Sequence, residues 1–319
     1  MNTFTKEFNT LSYVIKKAKN ILLFAHNAPD GDTCGSVLAM KEYLSSIGKN
    51  VDIGCFDPIP SFLETLTTHV FQLPDKIDLP KYDAAIACDS VERGFEKIMP
   101  SLNQDTVTAI IDHHPDISLS ADVIIIDYKR SSTCEIIYEY FVSQDIRITK
   151  AMATYLMIGV LSDTGNFQHA NTSTRVMDIS SDLMKKGATV AKIIEATFSN
   201  KKISTLKLWG RAFEKAKINS KNGLITTVLT QQDIEECHAT TEDIGQVASI
   251  LNTVPGTKFS LVLSERDNGI IKGSLRSEEY KGVDVSAIAH RFGGGGHKLA
   301  SGFEVKGKII ETESGWEIV

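Results

Sequence analysis

Short apolar runs of this chain end in aspartate and histidine side chains that could bind metal ions. The apolar run 21–25 is followed by "HNAPDGD", which contains His26, Asp30 and Asp32. Carboxylate oxygens and imidazole nitrogens are common ligands of divalent ions. Taken alone, Asp30 or Asp32 would more often cap the following helix, because aspartate is a preferred N-cap residue. A metal site therefore requires support from other parts of the chain.

The same pattern recurs farther along. "AAIACDS" contains Asp89, "TAIIDHH" contains Asp112, His113 and His114, and "LMIGVLSD" carries Asp163 at the end of an apolar helical pattern. In doubly wound sheets, ligands bind beyond the carboxyl ends of the strands, where residues distant in sequence converge. We therefore expect these side chains to share one small volume with the first group.

Crowded acidic side chains need a cation to neutralise them. Carboxylates gathered at one sheet edge would otherwise repel one another and shift each other's pKa values. The set contains no thiolate and is too large for one tetrahedral zinc, but it suits two divalent ions that share a bridging carboxylate. Mixed oxygen and nitrogen ligation favours Mn²⁺, with Mg²⁺ or Co²⁺ as alternatives. Two ions about 3.5–4 Å apart, with a hydroxide between them as nucleophile, are a common device for phosphoryl chemistry. The predicted metal ligands are His26, Asp30, Asp32, Asp89, His113 and Asp163.

Length and composition narrow the class of protein. The chain has 319 residues, enough for two domains, and its 42% hydrophobic and 23% charged residues are ordinary for a globular protein. A net charge of -6 argues against a protein that coats long nucleic acids. The five scattered cysteines contain no C-x-x-C pair, which excludes a disulfide framework or a zinc knuckle. No apolar run approaches the roughly 18 residues of a membrane helix, and the N-terminus lacks a signal-peptide core. We expect a cytoplasmic protein with no membrane partner.

The first 200 residues alternate strand and helix patterns. Compact apolar runs predict buried strands at 21–25, 51–56, 84–88, 106–111 and 123–126. Helical patterns lie at 35–48, 132–145, 150–163 and 173–187. Ser132 and Thr133 are expected to cap one of these helices, and Tyr128 and Phe167 are expected to pack in the core. This alternation predicts an α/β fold with a mainly parallel sheet and flanking helices.

The texture of the sequence changes after residue 222. Strand-like runs occur at 223–230, 259–277 with an "RDNG" turn, and 302–310, mixed with helical patterns at 242–252 and 283–292. These patterns predict a smaller α+β domain, placed across a cleft from the first. The predicted organisation is a metal-binding catalytic domain at 1–199, a helical linker at 200–222 and a substrate-binding domain at 223–319.

The ordered motifs resemble a known family. "HNAPDGDTCGS", "CDS", "IDHH" and "SDTGNF" are similar to the four motifs of the DHH phosphoesterase superfamily. "GSLRS" followed by "FGGGGHKLASG" looks like the DHH-associated C-terminal domain of one branch. That branch contains nano-RNases, phosphoadenosine-phosphate phosphatases and phosphodiesterases of linear dinucleotides. The resemblance spans nearly the whole chain.

The resemblance also implies individual roles. One ion would be bound by His26, Asp30 and Asp89, and the other by Asp32, Asp89, His113 and Asp163. Asp89 would thus bridge the ions, and Asp89 and His114 become the candidate catalytic residues. His114 would contact the substrate phosphate, or alternatively would orient a metal ligand by a hydrogen bond. Asp112 is expected to orient its neighbours in the same way.

The C-terminal glycine run is a candidate anion site. It lacks the G-K-[ST] ending of a P-loop, but glycines leave backbone N–H groups accessible to an anion. Neighbouring cationic groups would add a planar guanidinium and further donors. The predicted substrate-binding residues are Arg276, Gly294, Gly295, Gly296, His297 and Lys298. The alternative is a flexible surface turn.

Together these features predict a two-metal phosphoesterase of short substrates. It would hydrolyse short oligoribonucleotides or linear dinucleotides such as pApA to mononucleotides, or 3′-phosphoadenosine 5′-phosphate to AMP. The C-terminal domain would hold one end of the substrate, which favours short substrates over polymers; a homodimer is compatible with this scheme. The alternatives are a manganese-dependent inorganic pyrophosphatase and a nucleotide- or RNA-binding module without catalysis.

Overall fold

The chain folds into two compact units in a computed structural model, Met1–Asn200 and Lys201–Val319. The structure describes residues 4–89, 91–115, 117–199, 201–312 and 315–319. Asn200, the first residue of the predicted linker, lies outside the described residues. None of the helices in these ranges is both long and apolar enough to cross a bilayer.

The first unit is built on a parallel sheet. Its strands are β1 (Asn20–Ala25), β2 (Asn50–Gly54), β3 (Ala84–Cys88), β4 (Val107–Asp112) and β5 (Val123–Ile126). They lie in the order β2-β1-β3-β4-β5, and each neighbouring pair is parallel. The order reverses beside β1, which is the arrangement of a doubly wound sheet. The predicted α/β fold is therefore confirmed.

Helices flank this sheet. They are α1 (Thr5–Lys17), α2 (Gly31–Ser46), α3 (Phe95–Ile98), α4 (Thr133–Ser143), α5 (Lys150–Asp163), α6 (Thr174–Lys185) and α7 (Val190–Ile194). The core between sheet and helices includes Leu11, Leu23, Leu38 and Met157, all with fully buried side chains. Apolar residues on both faces of the central strands explain why those strands read as continuous hydrophobic runs.

Helices α2 and α5 approach closely because glycines face each other at their contact. A Cβ atom on Gly35 would lie 2.4 Å from the carbonyl oxygen of Tyr155 and 3.1 Å from the nitrogen of Gly159. A Cβ on Gly159 would lie 2.5 Å from Oδ1 of Asp32. Glycine is required at such a contact, since real Cβ atoms do not approach other heavy atoms so closely.

The start of helix α2 and the exposure of one aromatic residue differ from the sequence prediction. Helix α2 begins at Gly31 instead of residue 35, because Asp30 is its N-cap and accepts hydrogen bonds from the backbone N–H groups of Asp32 and Thr33. The prediction of Tyr128 as a core residue is wrong, since its side chain is 66% exposed. Phe167 does pack against the core.

The second unit has a mixed sheet. Its strands are β6 (Lys217–Asn219), β7 (Leu224–Leu229), β8 (Phe259–Arg266), β9 (Ile270–Ser277), β10 (Gly295–His297), β11 (Ala300–Lys306), β12 (Ile309–Thr312) and β13 (Gly315–Ile318). Strands β6 to β11 form one sheet in the order β10-β11-β9-β8-β7-β6, in which only the β7–β8 pairing is parallel among the described strands. Strands β12 and β13 pair with each other.

Short helices pack on the second sheet. They are α8 (Ile203–Glu214), α9 (Gln231–Glu236), α10 (Val247–Leu251) and α11 (Val285–His290). Helix α8 packs Leu208 and Ala212 against Ile225 and Leu229 of β7. The predicted "RDNG" turn joins β8 to β9, with Asn268 at φ 61°. The smaller α+β unit expected from the sequence is present.

Candidate metal centre

The predicted ligands lie at the edge of the parallel sheet where the strands end. Cys88, the last residue of β3, pairs with Ala25 of β1 on one side and with Ile111 of β4 on the other. The chain positions that follow these strands therefore lie side by side. They supply His26, Asp89, His113 and His114, and Asp112 is the last residue of β4. The N-cap and first turn of α2 supply Asp30 and Asp32, and the last turn of α5 supplies Asp163.

The side chains form overlapping groups that share Asp89. Ligand atoms of His26, Asp30 and Asp89 lie within 4.8 Å of one another. Those of Asp32, Asp89 and His113 do the same. These groups are two neighbouring candidate cation sites with one carboxylate in common, as a bridging role for Asp89 would require.

Asp163 joins the second of these groups through His113. Nε2 of His113 lies 3.1 Å from Oδ2 of Asp163 and 3.7 Å from both Asp32 Oδ2 and Asp89 Oδ1. The imidazole of His113 is 6% exposed, and the carboxylates of Asp32 and Asp89 are 1% and 2% exposed. Anionic oxygens thus surround one imidazole in a site that is largely closed to water.

The environment of His26 fits a metal ligand. Its Nδ1 lies 2.6 Å from the carbonyl oxygen of Asn27, so Nδ1 carries a proton and Nε2 is left as the nitrogen that can bind a cation. Nε2 is buried, forms no hydrogen bond with any described residue, and lies 3.5 Å from Oδ2 of Asp89. A lone pair and a carboxylate oxygen at this distance would repel each other, so the contact needs either a proton on Nε2 or a metal ion between the two atoms.

Burial and the neighbouring charges shift the pKa values in the cluster. Burial raises the pKa of Asp32 well above its usual range, and the charges of Asp163 and Asp89 raise it further. Burial also raises the pKa of Asp163 to about 6, although His113 opposes this shift. Burial alone would lower the pKa of His113, but Asp163 and the other carboxylates outweigh it and raise the pKa. In this chain the carboxylates compete for protons, and divalent cations would satisfy them better.

Asp89 is the most constrained of the group. Its backbone has φ 65°, in the left-handed region, and its Oδ2 accepts a 2.6 Å hydrogen bond from the Thr33 hydroxyl. Burial would raise the pKa of this carboxyl, but the neighbouring imidazoles of His26, His114 and His113 lower it. Asp89 is thereby held ionised, as a bridging ligand must be.

His114 is oriented by Asp112. Nδ1 of His114 lies 2.8 Å from Oδ1 of Asp112, and Asp112 also accepts backbone hydrogen bonds from His114 and Val91. Asp112 is fully buried, whereas the His114 side chain is 25% exposed. Asp112 therefore positions an imidazole that remains open to solvent at the edge of the cluster.

The first turn of α4 holds Asp32, a contact that the sequence analysis did not identify. The backbone N–H of Thr133 donates to Oδ2 of Asp32 at 2.6 Å, and that of Cys134 donates to Oδ1 at 2.9 Å. Ser132 is the N-cap, and its side chain accepts from the N–H of Glu135. The cap in "RSSTCE" was the available signal, because the N–H groups behind an N-cap attract anions.

In the second unit, Arg276 and the glycine run lie on strands of the same sheet, with β11 between them. Arg276 of β9 pairs with Ala300 of β11, which pairs with His297 of β10. Nη1 of Arg276 donates to the carbonyl of Leu275, and burial lowers the pKa of its guanidinium with no described carboxylate to offset the shift. Lys298, in contrast, is paired with Glu279 at 2.9 Å.

The glycines of the run form backbone hydrogen bonds and close backbone contacts within the second unit. The N–H of Gly294 donates to the carbonyl of Ala289, and a Cβ at this position would lie 2.1 Å from the carbonyl oxygen of Gly302. Gly295 and Gly296 belong to strand β10, and Gly296 has φ 130°. Backbone groups here are partly committed to the sheet, so the arginine is the clearest candidate for binding an anion in this unit.

Comparison with known proteins agrees with these features. Residues 20–160 match the DHH family N-terminal domain, and residues 221–313 match the DHHA1 domain. Over 292 residues the chain is 28% identical to the bifunctional oligoribonuclease and PAP phosphatase NrnA of Thermus thermophilus, covering 91% of this chain and 86% of that protein. It is 27% identical over 295 residues to the protein of the same name from Bacillus subtilis, covering 89% of each.

A solved structure shares the fold over most of the chain. It is an exopolyphosphatase-related protein from Bacteroides fragilis, with a TM-score of 0.87 and 25% identity over 95% of this chain and 92% of that chain. The family resemblance inferred from the motifs is thus confirmed. The chain thus carries a DHH family N-terminal domain followed by a DHHA1 domain.

Proposed function

We propose that this protein is a two-metal phosphoesterase of short nucleotide substrates. It hydrolyses short oligoribonucleotides or linear dinucleotides such as pApA to mononucleotides, and converts 3′-phosphoadenosine 5′-phosphate to AMP. The observation that carries the proposal is the pair of overlapping ligand groups that share Asp89. Curated relatives that align over most of the chain bear names with both activities, which supports the same substrate class here.

The proposed ion ligands are His26, Asp30, Asp32, Asp89, His113 and Asp163. Bound divalent ions supply a nucleophile at neutral pH and stabilise the charge that develops on the leaving oxygen. Mn²⁺ is the first choice because the donors mix oxygen and nitrogen, and Mg²⁺ is the second.

The chain's own residues then have distinct tasks. Asp89 holds both cation sites together, and Thr33 and His26 fix its carboxylate. His114, oriented by Asp112 and partly exposed, contacts the substrate phosphate. In the second unit, Arg276 binds a terminal phosphate as a bidentate fork, with His297 and the glycine run contributing. The buried free cysteines of the described chain suit the reducing cytoplasm, where we place the reaction.

A substrate panel tests the proposal. Wild-type protein with Mn²⁺ is given pApA, RNA of two to five and of about thirty nucleotides, 3′-phosphoadenosine 5′-phosphate and inorganic pyrophosphate, and products are separated by chromatography. We expect mononucleotides from the short substrates and little product from long RNA or pyrophosphate. Preference for pyrophosphate, or no hydrolysis of any nucleotide, would refute the proposal. Full activity after dialysis against excess EDTA would refute its metal dependence.

A further inference from the structure

Two buried glutamates lie beside the metal centre without belonging to it. Glu135 and Glu139 are one turn apart on α4, with relative exposures of 2% and 5%. Arg130 Nε lies 2.7 Å from Glu139 Oε1, and Arg175 Nε lies 3.0 Å from Glu135 Oε1. Arg175 also pairs with Glu139. Buried ion pairs are weak sources of stability, because desolvation offsets their attraction.

Glu135 differs from Glu139 in what its second oxygen contacts. Oε2 of Glu135 accepts hydrogen bonds from both the backbone N–H and the hydroxyl of Ser131, each at 2.8 Å. Ser131 directly precedes the N-cap Ser132, so Glu135 fixes the path by which the chain enters α4. Glu139 pairs with the same arginines but forms no hydrogen bond with Ser131 in the described part of the chain.

Ser131 and the first turn of α4 are connected by hydrogen bonds to two of the proposed metal ligands. The N–H groups of the first turn hold both carboxylate oxygens of Asp32, as described above. Nδ2 of Asn171 donates to the carbonyl of Ser131 at 3.2 Å and to the carbonyl of Asp163 at 3.1 Å. Asp32 and Asp163 are thus connected through residues that bind no ion themselves.

We propose that Glu135 is a positioning residue that sets the spacing of Asp32 and Asp163 by fixing Ser131 and the first turn of α4. The two aspartates belong to the same proposed cation site with His113, so Glu135 acts mainly on that site. The hydroxyl of Thr133, in the same first turn, also donates to Oδ1 of the shared Asp89, at 3.4 Å. The inference rests on the proposed two-ion centre. It adds a residue that controls the affinity of one of the two ions.

Glu135→Ala should therefore weaken one ion selectively. Substitution of a residue that orients metal ligands typically lowers the metal affinity by about 10–100-fold. We expect a loss of Mn²⁺ affinity in this range at one of the two sites. Calorimetric titration of the ion-free protein with Mn²⁺, supported by electron paramagnetic resonance, measures both sites without any turnover. Raising the Mn²⁺ concentration should also restore much of the lost kcat.

Glu139→Ala is the matched control. It removes an equally buried carboxylate from the same helix and the same arginines, but leaves the contacts of Glu135 with Ser131 intact. We expect a similar fall in melting temperature and unchanged Mn²⁺ affinities. If both variants weaken Mn²⁺ binding equally, or if Glu135→Ala leaves both sites unchanged, the positioning role is wrong.

A second variant covers the case in which Glu135→Ala fails to fold. Asn171→Asp keeps the shape of the side chain but removes the amide donors and places a charge against two carbonyls. We expect a smaller loss at the same Mn²⁺ site, since Asn171 is exposed to water. Asn20→Asp is its control, because Asn20 also donates from Nδ2 to a backbone carbonyl, that of Lys81. No difference between these two variants would overturn the inference.

The wild-type titration separates the two proposals. If wild-type protein binds no Mn²⁺, or a single ion, the proposed two-ion centre fails before the variants are considered. If it binds two ions and the Glu135 and Asn171 variants retain both affinities, the centre stands and only the positioning role fails.

Discussion

Asp89 combines a left-handed backbone conformation with a proposed role as a metal ligand. It has φ 65°, a conformation that asparagine and aspartate adopt more readily than other side chains except glycine. Its oxygens face His26 on one side and His113 and His114 on the other. Asparagine at this position should therefore keep the backbone conformation and remove the negative charge.

Asp89→Asn should abolish turnover and preserve the fold. The amide cannot carry the negative charge that holds two cations together, while asparagine tolerates the left-handed backbone. We expect product formation at the assay background at every Mn²⁺ concentration, with circular dichroism unchanged. Asp122→Asn, at an exposed aspartate that accepts hydrogen bonds from Thr108, should retain full activity. Near-normal turnover of Asp89→Asn at saturating Mn²⁺ would contradict a bridging role.

Ligand types were predictable from the sequence, but their supporting contacts were not. His26 and Asp89 stand directly after apolar runs, and parallel strands bring such positions together in any doubly wound sheet. The left-handed backbone of Asp89 and the contact between α4 and Asp32 depend on tertiary packing, which no local pattern records. Tyr128 was assigned to the core from residue type alone, and its position in the turn after β5 leaves it exposed.

At the scale of elements, the contact between α2 and α5 connects packing to the metal centre. A Cβ on Gly159 would lie 2.3 Å from Sγ of Cys134 and 2.5 Å from Oδ1 of Asp32. Gly210 in α8 has no neighbouring atom within 4 Å of such a Cβ. The two glycines therefore differ in environment while both lie inside helices.

Gly159→Ala and Gly210→Ala should change stability in opposite directions. Overpacking at Gly159 is expected to lower the free energy of unfolding by about 1–3 kcal/mol and to weaken Mn²⁺ binding. Alanine at Gly210 should raise it by about 0.5–1 kcal/mol, because alanine has the higher helix propensity. Urea denaturation of both variants measures these changes. A Gly159→Ala variant as stable as wild type would show that α2 and α5 can separate without cost.

Helix α9 depends on an ionised aspartate at its first turn. Asp233 forms a capping box with Thr230 and accepts hydrogen bonds from the Lys215 ammonium at 2.7 and 2.9 Å. Burial would raise the pKa of Asp233, but the hydrogen bonds from Lys215 and Thr230 outweigh it and lower the pKa. The folded state therefore favours the ionised form more than the unfolded state does.

This difference predicts a pH-dependent loss of stability. The stabilisation by Asp233 is present above the unfolded-state pKa of about 4 and is lost as the pH falls through the lower folded-state value. At pH 7, Asp233→Asn should lower the free energy of unfolding by about 1.5–3 kcal/mol. The difference from wild type should shrink on acidification below about pH 4, measured by urea denaturation across this range. A difference that is constant with pH would argue against an ionised capping residue.

Elements were predictable where periodicity was strong. The run of "KAMATYLMIGVLSD" matches α5 in full, and the runs at 84–88 and 123–126 match β3 and β5. Helix α1 was not predicted, because its mixed polar surface resembles a solvent-exposed segment until Phe8 and Leu11 are seen to be fully buried. The glycine run was predicted as a candidate anion site, with a flexible surface turn as the alternative. Half of it forms β10 by pairing with β11, a contact that local sequence cannot reveal.

For the whole molecule, we expect chemistry and substrate selection to be divided between the two units. The described ligand groups of the proposed ion sites all come from the first unit, whereas Arg276 is a partly buried cation of the second. If Arg276 binds a terminal phosphate, its contribution is a binding term that depends on the substrate carrying that phosphate.

Arg276→Ala should therefore act mainly on KM for phosphorylated substrates. A charge-assisted bidentate contact contributes about 1.5–3 kcal/mol, which corresponds to roughly ten- to a hundredfold in kcat/KM. Dinucleotides with and without a 5′-phosphate are compared in wild type and variant. Lys298→Ala is a useful companion, since Lys298 is already paired with Glu279 and should change kcat/KM less. Equal losses on both dinucleotides would contradict phosphate recognition by Arg276.

The order in which the ligands occur along the chain has a consequence for biosynthesis. The proposed cation sites draw on residues from His26 to Asp163, and a ribosome delivers these positions in that order. A growing chain that ends before α5 lacks Asp163, so tight ion capture begins only when nearly all of the first unit has emerged. An ion that binds the folded state and not the unfolded state stabilises the folded state by mass action. Ion binding would then favour the folded state of the complete first unit. The supply of divalent metal in the cell would thus set how much newly made chain is retained in its folded form.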